Sequence, residues 1–319
     1  MNHLFYGESA ALSFSRFNRS ADSVIFHEAM AVGPAVLPSE TLRQTRAQYL
    51  AGAFDTSYES CLDKWRAFDS AITSLQPEDE LACWFGNDFF CQIAFIYVLV
   101  ELGQTSNRNL SFVSPGSIDD GFYCFGDVPD AEMNDRLQKR VPIAAIDLQH
   151  AAIAWHLYAE PDPRCLNAVF DGSIDLGPRF ARVLELHANR FPRARGNLGI
   201  TERCILHGLR SGPLAFSELF RDVSQKTRDY TWGDTQIRNL CWRLVTSEPA
   251  LIKVTELGDQ PTSRSALSTA HLALTDAGRA LLDGDLSEYS TENYWLGGCE
   301  MTENSPWCWD PSARRIDTR

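Results

Sequence analysis

No window of this 319-residue chain approaches 18 consecutive apolar residues, which excludes a helix of ordinary length crossing a bilayer. No two of its nine cysteines form a C-x-x-C pair, and their spacing suits neither a structural zinc site nor a disulfide framework. Cys61, Cys91, Cys204 and Cys241 instead fall within apolar helical patterns, where a thiol behaves as a small hydrophobe. The first residues lack the basic-then-apolar layout of a secretory leader, because an acid and a polar residue arrive at Glu8 and Ser9. Internal repeats, low-complexity runs and a Gly-rich phosphate fingerprint are also missing. These absences read together as a reduced, cytoplasmic globular protein, long enough for two domains.

What is present is unevenly charged. The net charge of -13 divides into -12 over residues 1–189, +3 over 190–283 and -4 over the remainder. The first part will not hold nucleic acid by general electrostatics, whereas the middle can do so weakly.

Residues 3–6, 23–27, 80–85 and 110–114 read as short buried strands, and 121–127 as a short fifth. Helices are expected over 9–18, over 39–52, and from a Thr56–Glu59 capping box through Ile72. The run at 88–102 is apolar on nearly all sides; its length favours a helix buried against a sheet, and its β-branched residues keep a strand as the alternative. Strands alternating with helices imply a parallel sheet with right-handed crossovers. The texture from 141 to 188 is helical, and 190–199 resembles a linker.

Residues 200–283 follow a different grammar. Helices at 201–210, 215–225 and 234–245 precede a strand, ALIKVTEL, a polar excursion over 258–268, the strand HLALT and a capped helix. This passage is similar to a winged helix-turn-helix. Its third helix places Gln236, Arg238, Asn239 and Arg243 where side chains can read bases or hold phosphates. The alternative use of such a module is protein–protein packing. The tail carries Trp295, Trp307 and Trp309 and is expected to fold back on the body as a hairpin.

In open parallel sheets a ligand binds beyond the carboxyl ends of the strands, where strand order reverses. With the first strand central, three polar clusters converge there: Gly7-Glu8-Ser9, His27-Glu28, and Gly86-Asn87-Asp88 followed by Gln92. Gly7 can open a turn whose N–H groups face an anion, or simply punctuate a helix capped by Ser9. His27, Glu28 and Asp88 are residue types that carry protons or hold metals. The Gly7-Glu8-Ser9 turn also resembles the opening block of SGNH-type hydrolases. That resemblance implies Ser9 as nucleophile, His150 as base, Asp147 as its orienter, and N–H groups near Gly86 as oxyanion donors.

Six blocks carry a wider resemblance: HLFYGESAA, VIFHEAMAVGP, LACWFGNDFFCQ, RFPRARGNLGITERCIL, WGDTQIRNLCWRL and YWLGGCEMTENSPWCWD. Over nearly the full length the chain resembles a bacterial family known as domain of unknown function 1835. Members read G-D-S at Gly7-Glu8-Ser9 and W-F-E-H-D at Trp84-Phe85-Gly86-Asn87-Asp88. Ser9, Asp88 and Gln92 match that pattern, while Gly86 and Asn87 replace an acid and a histidine. The resemblance implies no activity.

The expectation is therefore an α/β protein with a Rossmann-like or flavodoxin-like parallel-sheet domain over 1–140. A helical connector follows over 141–192, then a winged helix-turn-helix over 193–284 and an aromatic tail over 285–319. The crevice is expected to bind, and in one reading to transform, a small polar or anionic ligand. Ser9, Asp88, His27 and Glu28 are its reactive candidates, and Gly7, Glu8, Gly86, Asn87 and Gln92 its binding residues. The alternatives are a ligand-responsive DNA-binding regulator and a serine hydrolase. No metal is assigned and no cofactor is named.

Overall fold

Alternate residues of the first strand turn to opposite sides, and this sets the two faces of a sheet. His3 and Phe5 pack with Phe14 and Trp84 on one face, while Tyr6 meets Phe26 and Phe85 on the other. The computed structural model describes residues 1–318 except 17–22, 37–38, 55, 77, 105–108, 194–196, 256–262 and 286–288. By its contacts the chain divides into two compact units: Met1–Glu160 with Asp175–Val183, and Pro161–Ile174 with Leu184–Arg319.

The first unit runs β1 (Asn2–Tyr6), α1 (Glu8–Ser15), β2 (Ser23–Phe26), α2 (Ser39–Ala53), α3 (Tyr58–Ser74) and β3 (Glu80–Trp84). It continues through α4 (Phe89–Gly103), β4 (Asn109–Val113), α5 (Met133–Gln138), β5 (Val141–Pro142) and α6 (Ala145–Ala159). The sheet order is β2-β1-β3-β4-β5. The pairs β1–β2, β1–β3 and β3–β4 are parallel, and β4–β5 is antiparallel. The chain thus winds outward in both directions from the β1/β3 pair, which sends its helices to opposite faces. Ala10 and Phe14 of α1, with Met133 and Leu137 of α5, cover Phe5, Ala82, Trp84 and Val113. On the other face Phe95 of α4 packs on Phe112 with ring centres 5.1 Å apart, and Tyr97 packs on Phe26. Helix α6 lies along α4, so α4 is enclosed on both sides and Ile93 through Leu99 are buried. That enclosure explains a helix with no polar face.

Three expectations are corrected. The segment 121–127 is not a strand: Asp127 Oδ2 accepts from the amides of Tyr123 and Cys124 at 2.9 and 3.0 Å, curling the chain into a 3-10 turn at Phe125–Asp127. The fifth strand is Val141–Pro142. Helix α3 opens on Ser57 rather than Thr56, its hydroxyl accepting from the Ser60 amide at 3.1 Å. Helix α1 begins at Glu8 with Gly7 before it, so Ser9 is not its cap. Residues 17 and 18 of the expected first helix lie outside the described residues.

The buried His3 carries a consequence for stability. Trp84 Nε1 donates to His3 Nδ1 at 3.1 Å, and burial pushes the imidazole pKa down to about 4. The unfolded chain binds this proton from about pH 6.5 downward, the native state only near pH 4. The contribution is complete above pH 6.5 and is lost as pH falls to 4, a change of about 3 kcal/mol. In urea titrations His3→Asn is expected to lose less stability than the parent over that interval. An identical pH dependence in the two proteins contradicts the assignment.

The second unit contains α7 (Asn167–Phe170) and the latter part of α8 (Gly177–Ala188), whose first residues belong to the first unit. It continues with α9 (Ile200–Gly208), β6 (Leu214–Ala215), α10 (Phe216–Lys226) and α11 (Asp234–Val245). Strands β7 (Ile252–Val254) and β8 (His271–Leu274) and helix α12 (Asp276–Asp283) follow. Strands β6, β8 and β7 pair antiparallel in that order. Ile205, Leu219, Val223, Ile237, Leu244 and Leu272 are buried in this unit. Residues 258–262 of the polar excursion at 258–268, and residues 194–196 of the 190–199 segment, lie outside the described residues. The tail forms two hairpins, β9 (Tyr294–Leu296) with β10 (Cys299–Met301), and β11 (Trp307–Asp310) with β12 (Arg315–Thr318). Trp309 is buried, and its Nε1 donates to Asn189 Oδ1 at 3.2 Å. All nine thiols are free.

Candidate functional site

Strand order reverses between β1 and β3, and the carboxyl ends of these neighbours lead into Gly7 and into Gly86-Asn87-Asp88. The two sides of this crevice are built differently.

On the β1 side, Gly7 adopts φ 75° and ψ 171°, a conformation that side chains disfavour. Its amide donates to the Phe26 carbonyl at 3.0 Å, tying the turn to β2. A Cβ placed on Gly7 would meet nothing within 4 Å. No side chain caps the N-terminus of α1, so its first N–H groups lack that partner. Glu8 and Ser9 are exposed there, and Glu8 Oε1 lies 3.5 Å from His27 Nε2. Partial burial, helped by the Lys64 charge, holds the His27 pKa below its usual value.

On the β3 side the protein fills its own space. A Cβ on Gly86 would lie 2.6 Å from Asp88 Oδ2, 2.8 Å from the Tyr123 carbonyl and 2.9 Å from Cys91 Sγ. This packing alone therefore requires a glycine at position 86. Asn87 is equally committed: its Nδ2 donates to the Gly116 and Phe122 carbonyls at 2.8 and 3.2 Å, and its amide donates to the Tyr123 carbonyl. Arg182 Nη1 donates to the Asn87 carbonyl at 3.0 Å. Asn87 thus fastens the 114–123 loop, and Gly86 lets the Tyr123 carbonyl approach closely.

Beneath them lie Asp88 and Gln92, both buried. Asp88 caps α4, its Oδ1 accepting from the Cys91 amide at 2.9 Å. Its Oδ2 and Gln92 Oε1 have no hydrogen-bond partner among the described residues. Burial pushes the Asp88 pKa up to about 7, so its carboxyl is largely protonated at mildly acidic pH. The Gln92 amide donates to the Gly86 carbonyl, which fixes its orientation. Tyr6 runs below the crevice and donates from its hydroxyl to the Glu28 carbonyl at 2.9 Å; burial raises its pKa well above the usual phenol value.

Glu28 is not available for proton transfer or metal ligation. Its Oε1 accepts from Nε and Nη2 of Arg46 at 3.2 and 2.6 Å, in a buried ion pair. Arg46 also donates to the carbonyls of Ala29, Val32 and Pro34, so the pair laces the loop after β2 to α2. Among the described residues no cluster of three His, Cys, Asp or Glu side chains is placed to hold a metal.

The hydrolase constellation does not assemble. Ser9 sits on α1, over one face of the sheet, while Asp147 and His150 sit on α6, which packs on α4 over the other. Asp147 Oδ2 instead accepts from the Ala144 amide at 2.8 Å. In the second unit Gln236, Arg238 and Asn239 are half-buried on α11, and Arg238 Nη2 lies 3.4 Å from Thr235 Oγ1. Arg243 is buried, ion-paired with Glu202 and 3.6 Å over the Tyr294 ring, so it cannot reach a phosphate as expected.

Sequence reasoning missed Tyr6, Arg46, Cys91 and Tyr123. Only Tyr6 left a signal, as the last residue of a strand whose partner face is buried.

No protein-family model matches the chain, and no curated protein does. Among solved structures it matches the ORC1 protein of Aeropyrum pernix in complex with DNA at 11% identity, covering 89% of this chain and 85% of that one. The TM-score of that match is 0.22. No helix among the described residues is long and apolar enough to cross a membrane.

Proposed function

We propose that the crevice at the β1/β3 switch binds a small polar or anionic molecule on its β1 side, at the start of α1. The observation that supports this most is the free space in front of Gly7, at a helix N-terminus that no side chain caps. The flavodoxin-like order β2-β1-β3-β4-β5 puts that terminus where ligands of open α/β sheets bind. Ser9 and His27 flank the approach, and Glu8, drawn toward His27, limits how much negative charge the site accepts. Asp88 and Gln92 support the floor from below.

Calorimetric titration with inorganic phosphate, ribose 5-phosphate and ribose tests the reading. At least one is expected to bind saturably at a single site. Ser9→Trp, a change at an exposed position, is expected to abolish that binding, and Glu8→Gln to tighten the anions about two- to fivefold. Absence of saturation with all three, or full binding by Ser9→Trp, contradicts it.

A second reading rests on the second unit. Three helices with strands ordered β6-β8-β7 match a winged helix-turn-helix, and Gln236, Arg238 and Asn239 lie along its third helix. As a regulator the protein would shift genomic DNA fragments in a gel with strong salt sensitivity. A protein that shifts none at low salt is not such a regulator.

A further inference from the structure

On the face of the sheet away from α1, residues of α4, β4, β5, α6 and the first turn of α8 enclose a cleft of about 360 Å³. It lies wholly within the first unit and is separate from the crevice. Phe95 and Phe112 are buried beneath the cleft, Val141 and Ile143 give it an accessible apolar wall, and Asp147, His150 and Arg179 carry the polar groups.

Arg179 is the unusual member. Its guanidinium lies 3.9 Å over the Phe112 ring and 5.9 Å from the Phe95 ring. Among the described residues it has no hydrogen bond and no carboxylate within 4 Å. The residue is exposed overall, but desolvation of the guanidinium against the rings lowers its pKa, while the charge of Asp147 acts in the opposite sense. A guanidinium stacked by its face leaves the edge of its planar fork free, and that edge suits a carboxylate bidentately. Asp147 uses only Oδ2 in capping the turn before α6.

These two opposite charges line one cleft without pairing with each other. A simple anion placed there meets the attraction of Arg179 and the repulsion of Asp147 together. A zwitterion satisfies both, and an apolar side chain on it would cover the exposed Val141 and its neighbour Ile143. We propose that the cleft binds a small apolar α-amino acid, its carboxylate on Arg179, its ammonium on Asp147 and its side chain against Val141 and Ile143. The volume is of the size that holds such a ligand.

The test is calorimetric titration of the full chain with L-leucine and L-phenylalanine, alongside 3-phenylpropionate and phenethylamine, which each keep one charge. Saturable binding of at least one of the two amino acids is expected, with each single-charge analogue about tenfold weaker or worse. Arg179→Ala is expected to weaken the amino acid about tenfold or more, with Arg179→Lys intermediate. Asp147→Asn, which keeps an acceptor for the Ala144 amide, is expected to weaken the amino acid and leave 3-phenylpropionate unchanged or tighter. No saturation by either amino acid up to about 10 mM overturns the proposal. So does equal affinity for phenylalanine and 3-phenylpropionate, or unchanged binding by Arg179→Ala.

Discussion

Glu28→Ala is expected to destabilise the protein by about 3–5 kcal/mol, because it leaves the Arg46 guanidinium buried without a counter-charge. Both partners are buried, so solvent screening does little to reduce the effect. The damage also spreads along the chain. Arg46 holds the carbonyls of Ala29, Val32 and Pro34, and a displaced guanidinium releases these three acceptors together. For that reason a double change, Glu28→Ala with Arg46→Met, is not expected to recover the parent's stability, although it removes both charges. Urea unfolding reads both results. A loss below about 1 kcal/mol for Glu28→Ala would show that the pair is solvated and that Glu28 is free for chemistry.

Asp88→Asn is expected to act in the opposite direction. The native pKa of about 7 stands above the 3.8 of a free aspartic acid, so the native state holds this proton more tightly than the unfolded chain. Stability is therefore lost as pH rises from about 4 to 7, by about 4 kcal/mol once the carboxyl is ionised. Asparagine keeps an oxygen to accept from the Cys91 amide and cap α4, and it never ionises. The variant is expected to be more stable than the parent at pH 8 by up to that amount. The advantage should fade as pH falls to 4. A difference independent of pH would show that Asp88 is not the titrating group. A stabilisation of that size would show that folding alone does not favour an acid at position 88.

The sequence carried the sheet because its signals were local. Short apolar strands alternate with helices, and the length of the run at 88–102 favours a buried helix, while its β-branched residues leave a strand open until α6 is seen to cover it. The walls of the crevice were legible for the same reason, since they follow directly from where β1 and β3 end. The uses of the residues on those walls were not. Gly86-Asn87-Asp88 reads identically whether it faces a ligand or fastens a loop, and the deciding atoms belong to Tyr123, Gly116 and Phe122. Glu28 looked available because nothing near it in sequence announces Arg46. Arg243 looked outward by helical spacing until Glu202 and Tyr294 closed over it. The fifth strand, two residues long, is too short to show alternation at all.

The claim that a small molecule binds at the start of α1 is tested most directly by mapping backbone amides. The labelled full chain would be titrated with inorganic phosphate and with ribose 5-phosphate. The account predicts saturable shifts centred on Gly7, Glu8, Ser9 and Ala10, with smaller ones at Asp88. Saturable shifts elsewhere, with those four amides unmoved, would contradict it.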